Sequence, residues 1–215
     1  MKPLFSAALA LSAAALTYIA APAPAAAAAP APAAGEPTLD ELRAATARFR
    51  DVKVAMAEGY INPGNSCETA AQMGMDKALG GMGIHFFRPD LLGIAGPPNP
   101  QVSGTGTHTD FRKPGILIYE PRADGTLELV AIENLVFEKA WKEAGNTGRP
   151  SFHGSVYEHM ADDPNTVADE AHMFEPHFDK HVWLWRDNPK GVFTPFNPNV
   201  TCEHHKGAQT AHNTH

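Results

Sequence analysis

The stretch His181–Arg186, with the sequence HVWLWR, is short, apolar and aromatic, and it begins with a histidine. It ends at residues 187–191, Asp-Asn-Pro-Lys-Gly, a run that favours a turn. As a strand, it would place the histidine and both tryptophans on one face and the valine and leucine on the other. A histidine shielded by two tryptophans is either a hydrogen-bonded core residue or a metal ligand, so we treat His181 as a candidate ligand.

Three other apolar runs predict further strands. Residues 82–87 read MGIHFF and residues 115–121 read GILIYEP, and both end at residues that break a strand. Asp124-Gly125 is a hairpin signal, and the segment 127–136, LELVAIENLV, follows it directly. We therefore predict an antiparallel sheet that includes these three runs and HVWLWR.

Two of these strands carry an unexpected polar residue. His85 would share a face with Phe87, opposite Met82, Ile84 and Phe86. Glu133 would share a face with four apolar residues, namely Leu127, Leu129, Ala131 and Leu135. A carboxylate on an apolar face is costly without a partner, so Glu133 needs a cation, a metal ion or a hydrogen-bond donor.

The ordered part of the chain begins with a helix signal. Thr38 and Glu41 have the spacing of a capping box, and apolar residues then recur at helical intervals as far as Met56. We predict one helix from Leu39 to Glu58, ended by Gly59. The predicted fold is α+β, with this N-terminal helix packed on an antiparallel, partly closed, barrel-like sheet.

Residues 1–35 are predicted to be a signal peptide and an Ala/Pro linker. Lys2 precedes an apolar run over residues 4–20, and small residues with Ala-x-Ala sites follow. An uncleaved signal-anchor is the alternative. Residues 36–202 are predicted to form a single domain, and residues 203–215, with four histidines, a disordered tail. The predicted location is the periplasm or the extracellular medium.

The charge of the chain narrows the classes of partner. Its formal net charge is −7, and residues 1–35 contain Lys2 as their only charged residue, which leaves −8 for the rest. An acidic domain is a poor match for nucleic acid or an anionic membrane surface. We expect a small molecule or a metal ion as partner, no nucleic acid, and no membrane contact beyond the signal segment.

The only cysteines are Cys67 and Cys202. In an exported chain an isolated pair usually forms a disulfide, and this one would close nearly the whole domain. Two thiolate metal ligands are the less favoured alternative, because the chain lacks a CxxC spacing.

The candidate metal ligands are His85, Glu133 and His181, each on a different predicted strand. Imidazole and carboxylate ligands suit a divalent transition metal such as Zn, Mn, Fe, Ni or Cu(II). Glu120 and His153 are less favoured. With a two-residue turn at Asp124-Gly125, Glu120 would face Leu129 and Glu133 would face Ile116, so the two carboxylates would lie roughly 13 Å apart at about 3.3 Å per residue.

Several motifs occur together in an order that resembles a group of small exported bacterial proteins of unknown function. They are Gly59-Tyr60 with Cys67 after it, MGIH at 82–85, LIYEP at 117–121, VAIE at 130–133, and HVWLW at 181–185 followed by NPNVTC at 197–202. The resemblance covers about residues 40–202 and implies a compact secreted α+β domain with a His/Glu set. It implies no activity, and Asn134 and the His-rich tail depart from the pattern.

Two hypotheses of function follow. The first is an exported metal-binding protein, including the case of a metal-dependent enzyme, because no Gly-x-Ser-x-Gly elbow or CxxCH haem site points to other chemistry. The second is a non-enzymatic secreted binding or structural envelope protein, in which the histidines and Glu133 form a buried polar network. A cavity beside the cluster would favour the enzyme, and a closed cluster would favour the second hypothesis.

Overall fold

The computed structural model describes residues 31–166, 169 and 171–207. The predicted signal peptide and Ala/Pro linker, residues 1–35, lie outside the described residues as far as residue 30, and the predicted disordered tail, residues 203–215, lies outside them from residue 208. Residues 203–207 are described: the His205 imidazole is hydrogen-bonded to the Asn65 carbonyl at 2.8 Å. Among the described helices, none is long and apolar enough to cross a membrane.

The protein has an α+β fold, built on a curled, half-barrel-like antiparallel sheet of six strands in the order β1-β2-β3-β4-β8-β7. The strands are β1 (Glu68–Thr69), β2 (Gly81–Phe87), β3 (Ile116–Pro121), β4 (Leu127–Phe137), β7 (Glu158–Met160) and β8 (His177–Val182), and a separate hairpin contains β5 (Ser151–Phe152) and β6 (Ser155–Val156). The three strands predicted between residues 82 and 136 are confirmed, with small changes at their ends.

The N-terminal helix is present but shorter than predicted. It consists of α1 (Leu39–Thr46), a 3-10 turn (Ala47–Arg50) and α2 (Val52–Ala57), so the prediction of one continuous helix to Glu58 was wrong. The break is at Asp51, whose backbone is extended and whose carboxylate accepts a hydrogen bond from the Lys53 amide. A short Asp side chain that caps its own backbone competes with helix continuation. The capping box of Thr38 and Glu41 is confirmed.

The N-terminal helix covers one face of the sheet, which we call the helix face. Leu42 and Phe49 pack there against side chains of the central strands, such as Leu117, Tyr119 and Ile132. The Tyr119 hydroxyl donates a hydrogen bond to the Phe49 carbonyl at 2.7 Å, which fixes the helix to β3. The other described helices are short: α3 (Pro89–Leu92), α4 (Glu138–Glu143) and two 3-10 helices (Ala70–Met73 and Lys77–Leu79).

The β3–β4 hairpin contains two register changes that cancel. The amide of Arg122 bonds to the carbonyl of Thr126, so the loop has three residues, and not two as predicted. Glu120 therefore faces Glu128 and not Leu129, which corrects the predicted pairing. Val130 is then an extra residue in β4, a β-bulge, and it restores the predicted pairing of Glu133 with Ile116.

The bulge also corrects the predicted faces of β4. Leu127 and Leu129 pack toward the helix face, whereas Ala131 and Leu135 belong to the core on the opposite face. Glu133 lies two positions from each of these last two residues, so it shares their face and points away from the helix. We call this opposite side of the sheet the site face.

The last strand lies earlier in the chain than predicted. It spans His177–Val182 and not 181–186, because β4 and β7 supply partners for residues 177–182. After Val182 the regular pairing with β4 ends: the Trp183 amide bonds to the Val192 carbonyl, and the Trp185 amide bonds to the carbonyl of the bulge residue Val130. Trp183 stacks beside His181 with ring centroids 6.3 Å apart, as expected for a shared face, but Trp185 packs against the helix-face core.

The predicted disulfide between Cys67 and Cys202 is present. It links the residue before β1 to the C-terminal segment, across 135 positions of the chain. The alternative of two thiolate ligands is excluded by this bond. β1 is an edge strand of only two residues, so the disulfide is a main constraint on its position.

Candidate metal centre

Three strands bring the predicted ligands to one point on the site face. Glu133 on β4 lies directly opposite His181 on β8. His85 on β2 is separated from β4 by one strand, and it pairs with Ile118 on β3. Because β2, β4 and β8 each turn one of these side chains to the same face, all three reach a common space.

The ligand atoms are spaced as a metal ion would require. The Glu133 Oε2 lies 3.4 Å from the His85 Nε2 and 3.5 Å from the His181 Nε2. One ligand atom from each of the three residues lies within 4.8 Å of the others. Ligand atoms on a tetrahedral zinc ion, with bonds of about 2.0–2.1 Å, are separated by about 3.3–3.4 Å. Two of the three distances between ligand atoms therefore already match those expected around one shared ion.

The three side chains are buried, with His85 8%, Glu133 3% and His181 2% exposed. The Glu133 Oε2 and the His181 Nε2 are buried and have no hydrogen-bond partner among the described residues. Separations of 3.4 and 3.5 Å are longer than the usual 2.7–2.9 Å of a charge-assisted N–H···O bond. Buried polar atoms without partners are rare, and an ion is one of the standard reasons for them.

The charges of these groups depend on each other. Burial acts to raise the pKa of the Glu133 carboxyl, but the neighbouring imidazoles of His181 and His85 outweigh it and lower the pKa. Burial acts to lower the pKa of His85, but the carboxylates of Glu68 and Glu133 raise it to about 9. For His181, burial prevails over Glu133 and the pKa is lowered. In the metal-free protein, the arrangement is a protonated His85, an ionised Glu133 and a neutral His181.

A second carboxylate, Glu68 on β1, stands behind His85. Its Oε2 lies 3.7 Å from the His85 Nδ1 and 3.7 Å from the Nδ1 of His172. Burial acts to raise the pKa of Glu68, but the charges of His85 and His172 lower it to about 2. A carboxylate behind a ligating histidine fixes the tautomer and direction of the imidazole.

Two further titratable residues line the same cavity. Asp179 and His177 precede His181 on β8 at alternate positions, so all three point to the site face. Burial raises the pKa of the Asp179 carboxyl well above its usual range, and the charge of Glu133 adds to this. Burial lowers the pKa of His177. Asp179 is therefore a buried carboxyl whose protonated form is favoured beside the cluster.

The cluster lies in a small cavity of about 70 Å³, next to a cleft of about 580 Å³. Five residues line both spaces: Glu68, His85, Phe87, His172 and Phe174. His85 is thus the ligand at the boundary, with its Nε2 toward Glu133 and its Nδ1 toward Glu68. A cleft that ends at a buried polar cluster is the usual form of a small-molecule site.

The two less favoured ligands lie elsewhere. Glu120 accepts hydrogen bonds from Arg122, from Arg186 and from the Thr201 amide, each at 2.8–2.9 Å. The His153 Nε2 bonds to the Pro37 carbonyl at 2.8 Å. Neither residue lines the cavity: Glu120 fastens the C-terminal segment to the sheet, and His153 fastens the N-terminal segment to the β5–β6 hairpin.

Sequence reasoning found the three cluster residues and missed four others: Glu68, His172, His177 and Asp179. For two of these, a signal was present: residues 177–181 read His-Phe-Asp-Lys-His, with polar residues at every second position. That period-2 pattern predicts one polar strand face once the strand is extended backward. Glu68, on a strand of two residues, and His172, in a loop, have no such pattern.

The arrangement offers two imidazoles and one carboxylate that could hold a metal ion, and its protein ligands leave coordination positions open. The comparisons with known proteins add no function to this geometry. No family model, no curated protein and no solved structure matches the chain.

Proposed function

We propose that this protein binds a divalent transition metal through His85, Glu133 and His181 and acts as a metal-dependent enzyme on a small molecule. One observation carries the proposal. Three buried ligand atoms from three strands converge at ion-like separations, beside a cavity that continues into a cleft. A purely structural cluster needs no such cleft.

The set of ligand atoms limits which metal ions are suited to the site. Two imidazoles and one carboxylate, with no thiolate, suit Zn, Mn, Fe, Ni or Cu(II). The same donor set occurs in zinc hydrolases and in non-haem iron(II) oxygenases, which both keep open positions for water or substrate. When bound, such an ion supplies a Lewis acid, an activated water or a redox centre.

The residues around the cluster would prepare it for this role. Glu68 would hold the His85 imidazole in the direction that aims the Nε2 at the ion. The protonated carboxyl of Asp179 would be a proton donor inside the cavity. Apolar side chains on the site face, such as Ile116 and Leu135, would limit the access of water.

We further propose that the protein is exported, to the periplasm or the extracellular medium. The Cys67–Cys202 disulfide supports an oxidising compartment, and the layout of residues 1–35 supports a signal peptide. The resemblance to small exported bacterial proteins, if it holds, would imply the same location.

A second candidate function is a non-enzymatic binding or envelope protein with a buried polar network. The raised pKa of His85 favours it, because a protonated His85 next to Glu133 forms an ion pair without any metal. The cleft beside His85 and the unpaired His181 Nε2 favour the enzyme.

Metal content separates the two candidates. The protein would be purified without an affinity tag and cut after Gly207, which keeps the described contact of His205 with Asn65. Metals would then be measured by mass spectrometry in the parent and in His85→Ala and His181→Ala, with His153→Ala as a matched buried control. We expect close to one metal per chain in the parent and the control, and loss in both cluster variants.

Absence of bound metal after incubation with Zn, Mn, Fe, Ni and Cu would overturn the proposal in favour of the polar network. Equal metal content in the parent and the His181→Ala variant would place the metal outside this cluster and would contradict it as well.

A further inference from the structure

The cleft in front of His85 is apolar over most of its wall. Its lining includes prolines from three separate segments, Pro63, Pro89 and Pro97-Pro98, and aliphatic side chains such as Ile94 and Val102. Its volume of about 580 Å³ lies within the range of roughly 300–1,000 Å³ found for sites of small organic ligands. The wall therefore suits an organic molecule with an apolar body.

The rim of the cleft exposes hydrophobic side chains to solvent. Ile61 is 48% and Met173 50% exposed, and both line the cleft. The described residues include five exposed large hydrophobic side chains, so two of these five lie at one opening. Exposed apolar side chains that gather at a cleft mark a binding site rather than random surface.

The inner end of the cleft is polar. Glu68, His85 and His172 meet there, with the Glu68 Oε2 3.7 Å from a nitrogen of each histidine. Two aromatic rings, Phe87 and Phe174, flank this end with centroids 5.7 Å apart, and they also line the metal cavity. A bound molecule would thus place a polar head at His85 and its neighbouring atoms against this pair of aromatic rings.

The charges at the inner end of the cleft determine which polar group a ligand can place there, and we call this group the head. Among the residues that the structure describes, no Lys or Arg lines the cleft, and the Glu68 carboxylate lies at its inner end, so a phosphate, sulfate or carboxylate head would meet a like charge. An ammonium head would meet the proposed metal ion. An uncharged hydroxyl can donate to the Glu68 carboxylate, and it loses less on leaving water than a charged head.

We infer that the cleft binds phenols that carry an apolar substituent, with the hydroxyl at Glu68 and His85. This inference rests on the proposed function, because it assigns the bound phenol as the substrate class of the metal centre. The aromatic ring would lie against Phe87 and Phe174, and the substituent would extend along the proline wall toward Ile61 and Met173.

Calorimetric titration of the purified protein, with and without bound metal, tests the inference. The probe is 4-butylphenol, and butylbenzene and phenyl phosphate are the comparison ligands. Ile61→Asp places a charge on the rim, and Val156→Asp is its matched control, because Val156 is 46% exposed and lies outside the cleft. Glu68→Leu removes the proposed acceptor of the hydroxyl.

We expect 4-butylphenol to bind at least about tenfold more tightly than butylbenzene, the difference that one net hydrogen bond supplies. Ile61→Asp should weaken binding by a similar factor with no change in Val156→Asp, and Glu68→Leu should abolish the preference for the phenol.

Metal content, measured on the same samples, keeps this inference separate from the proposed function. Phenol binding by a protein that takes up no metal after incubation with Zn, Mn, Fe, Ni and Cu would support the cleft and overturn the metal centre. A metal-loaded protein that binds no phenol, that binds butylbenzene equally well, or that binds phenyl phosphate more tightly would overturn the inference alone.

Discussion

Glu133 and His181 face each other directly across β4 and β8, and the Glu133 Oε2 lies 3.5 Å from the His181 Nε2. The backbone register sets this relationship, so neither side chain has to reach along its strand to meet the other. His85 completes the cluster from β2, with its Nε2 at 3.4 Å from the same oxygen. One carboxylate oxygen is therefore common to both short contacts.

Glu133→Gln tests the role of that oxygen. The substitution keeps the shape of the side chain and removes its charge. Loss of a residue that only hydrogen-bonds to a metal ligand typically lowers metal affinity roughly 10–100-fold, and we expect a larger fall here because Glu133 would be a ligand itself. Affinity would be measured by competition with a chromophoric chelator. Glu128→Gln, on the same strand but in contact with Arg186, is the control. Unchanged affinity in Glu133→Gln would remove Glu133 from the ligand set.

Glu68→Gln tests the carboxylate behind His85. A neutral amide would hold the imidazole less firmly, and we expect metal to bind about 10–100-fold more weakly, with one metal per chain still reached at high concentration. Glu58→Gln is the control, because Glu58 pairs with Arg48 at 2.7 Å on the N-terminal helix. A variant with the affinity of the parent would show that His85 needs no orienting partner.

Metal binding should weaken as the pH falls. Glu68 and Glu133 raise the pKa of His85 to about 9 in the metal-free protein, so at neutral pH a proton occupies the site of the metal. Displacement of one proton makes the apparent affinity fall about tenfold for each pH unit below that value. Chelator competition at several pH values would measure this slope. An affinity that stays constant between about pH 6 and 8 would contradict the protonated state of His85.

Removal of the disulfide should lower the free energy of unfolding. For Cys67→Ser with Cys202→Ser, we expect a loss of about 2–4 kcal/mol, since the bond restricts a loop of most of the domain. Urea unfolding, followed by tryptophan fluorescence, would measure the change. Added reductant should destabilise the parent and leave the double variant unaffected. A parent that is insensitive to reductant would show that the bond contributes little.

The three cluster residues were predictable because each is a polar residue within an otherwise apolar strand. A histidine or a glutamate within a hydrophobic run requires a partner, and His85, Glu133 and His181 each stand in such a run. The fold class was predictable from the alternating apolar residues of the strands and the capping box of the helix, because few other folds combine these elements. The cleft was not, because its wall comes from loops whose path depends on tertiary contacts.

The errors in detail have local causes. Asp51 interrupted the helix because its side chain bonds to the nearby amide of Lys53 and caps α2. The pairing of Glu120 was displaced by a loop one residue longer than the Asp-Gly signal suggests. The predicted pairing of Glu133 with Ile116 was correct only because the bulge at Val130 offsets the extra residue of the loop.

The bulge has a consequence for how the chain can tolerate changes in length. If Val130 were deleted, Leu129 could still face Tyr119, Ala131 could still face Ile118, and Glu133 would keep its partner on β3. Loss of two residues between Leu129 and Glu133 would instead move the carboxylate opposite Leu117 and turn it into the core beneath the helix. The bulge is thus the point in β4 where one residue can be lost while Glu133 keeps its partner.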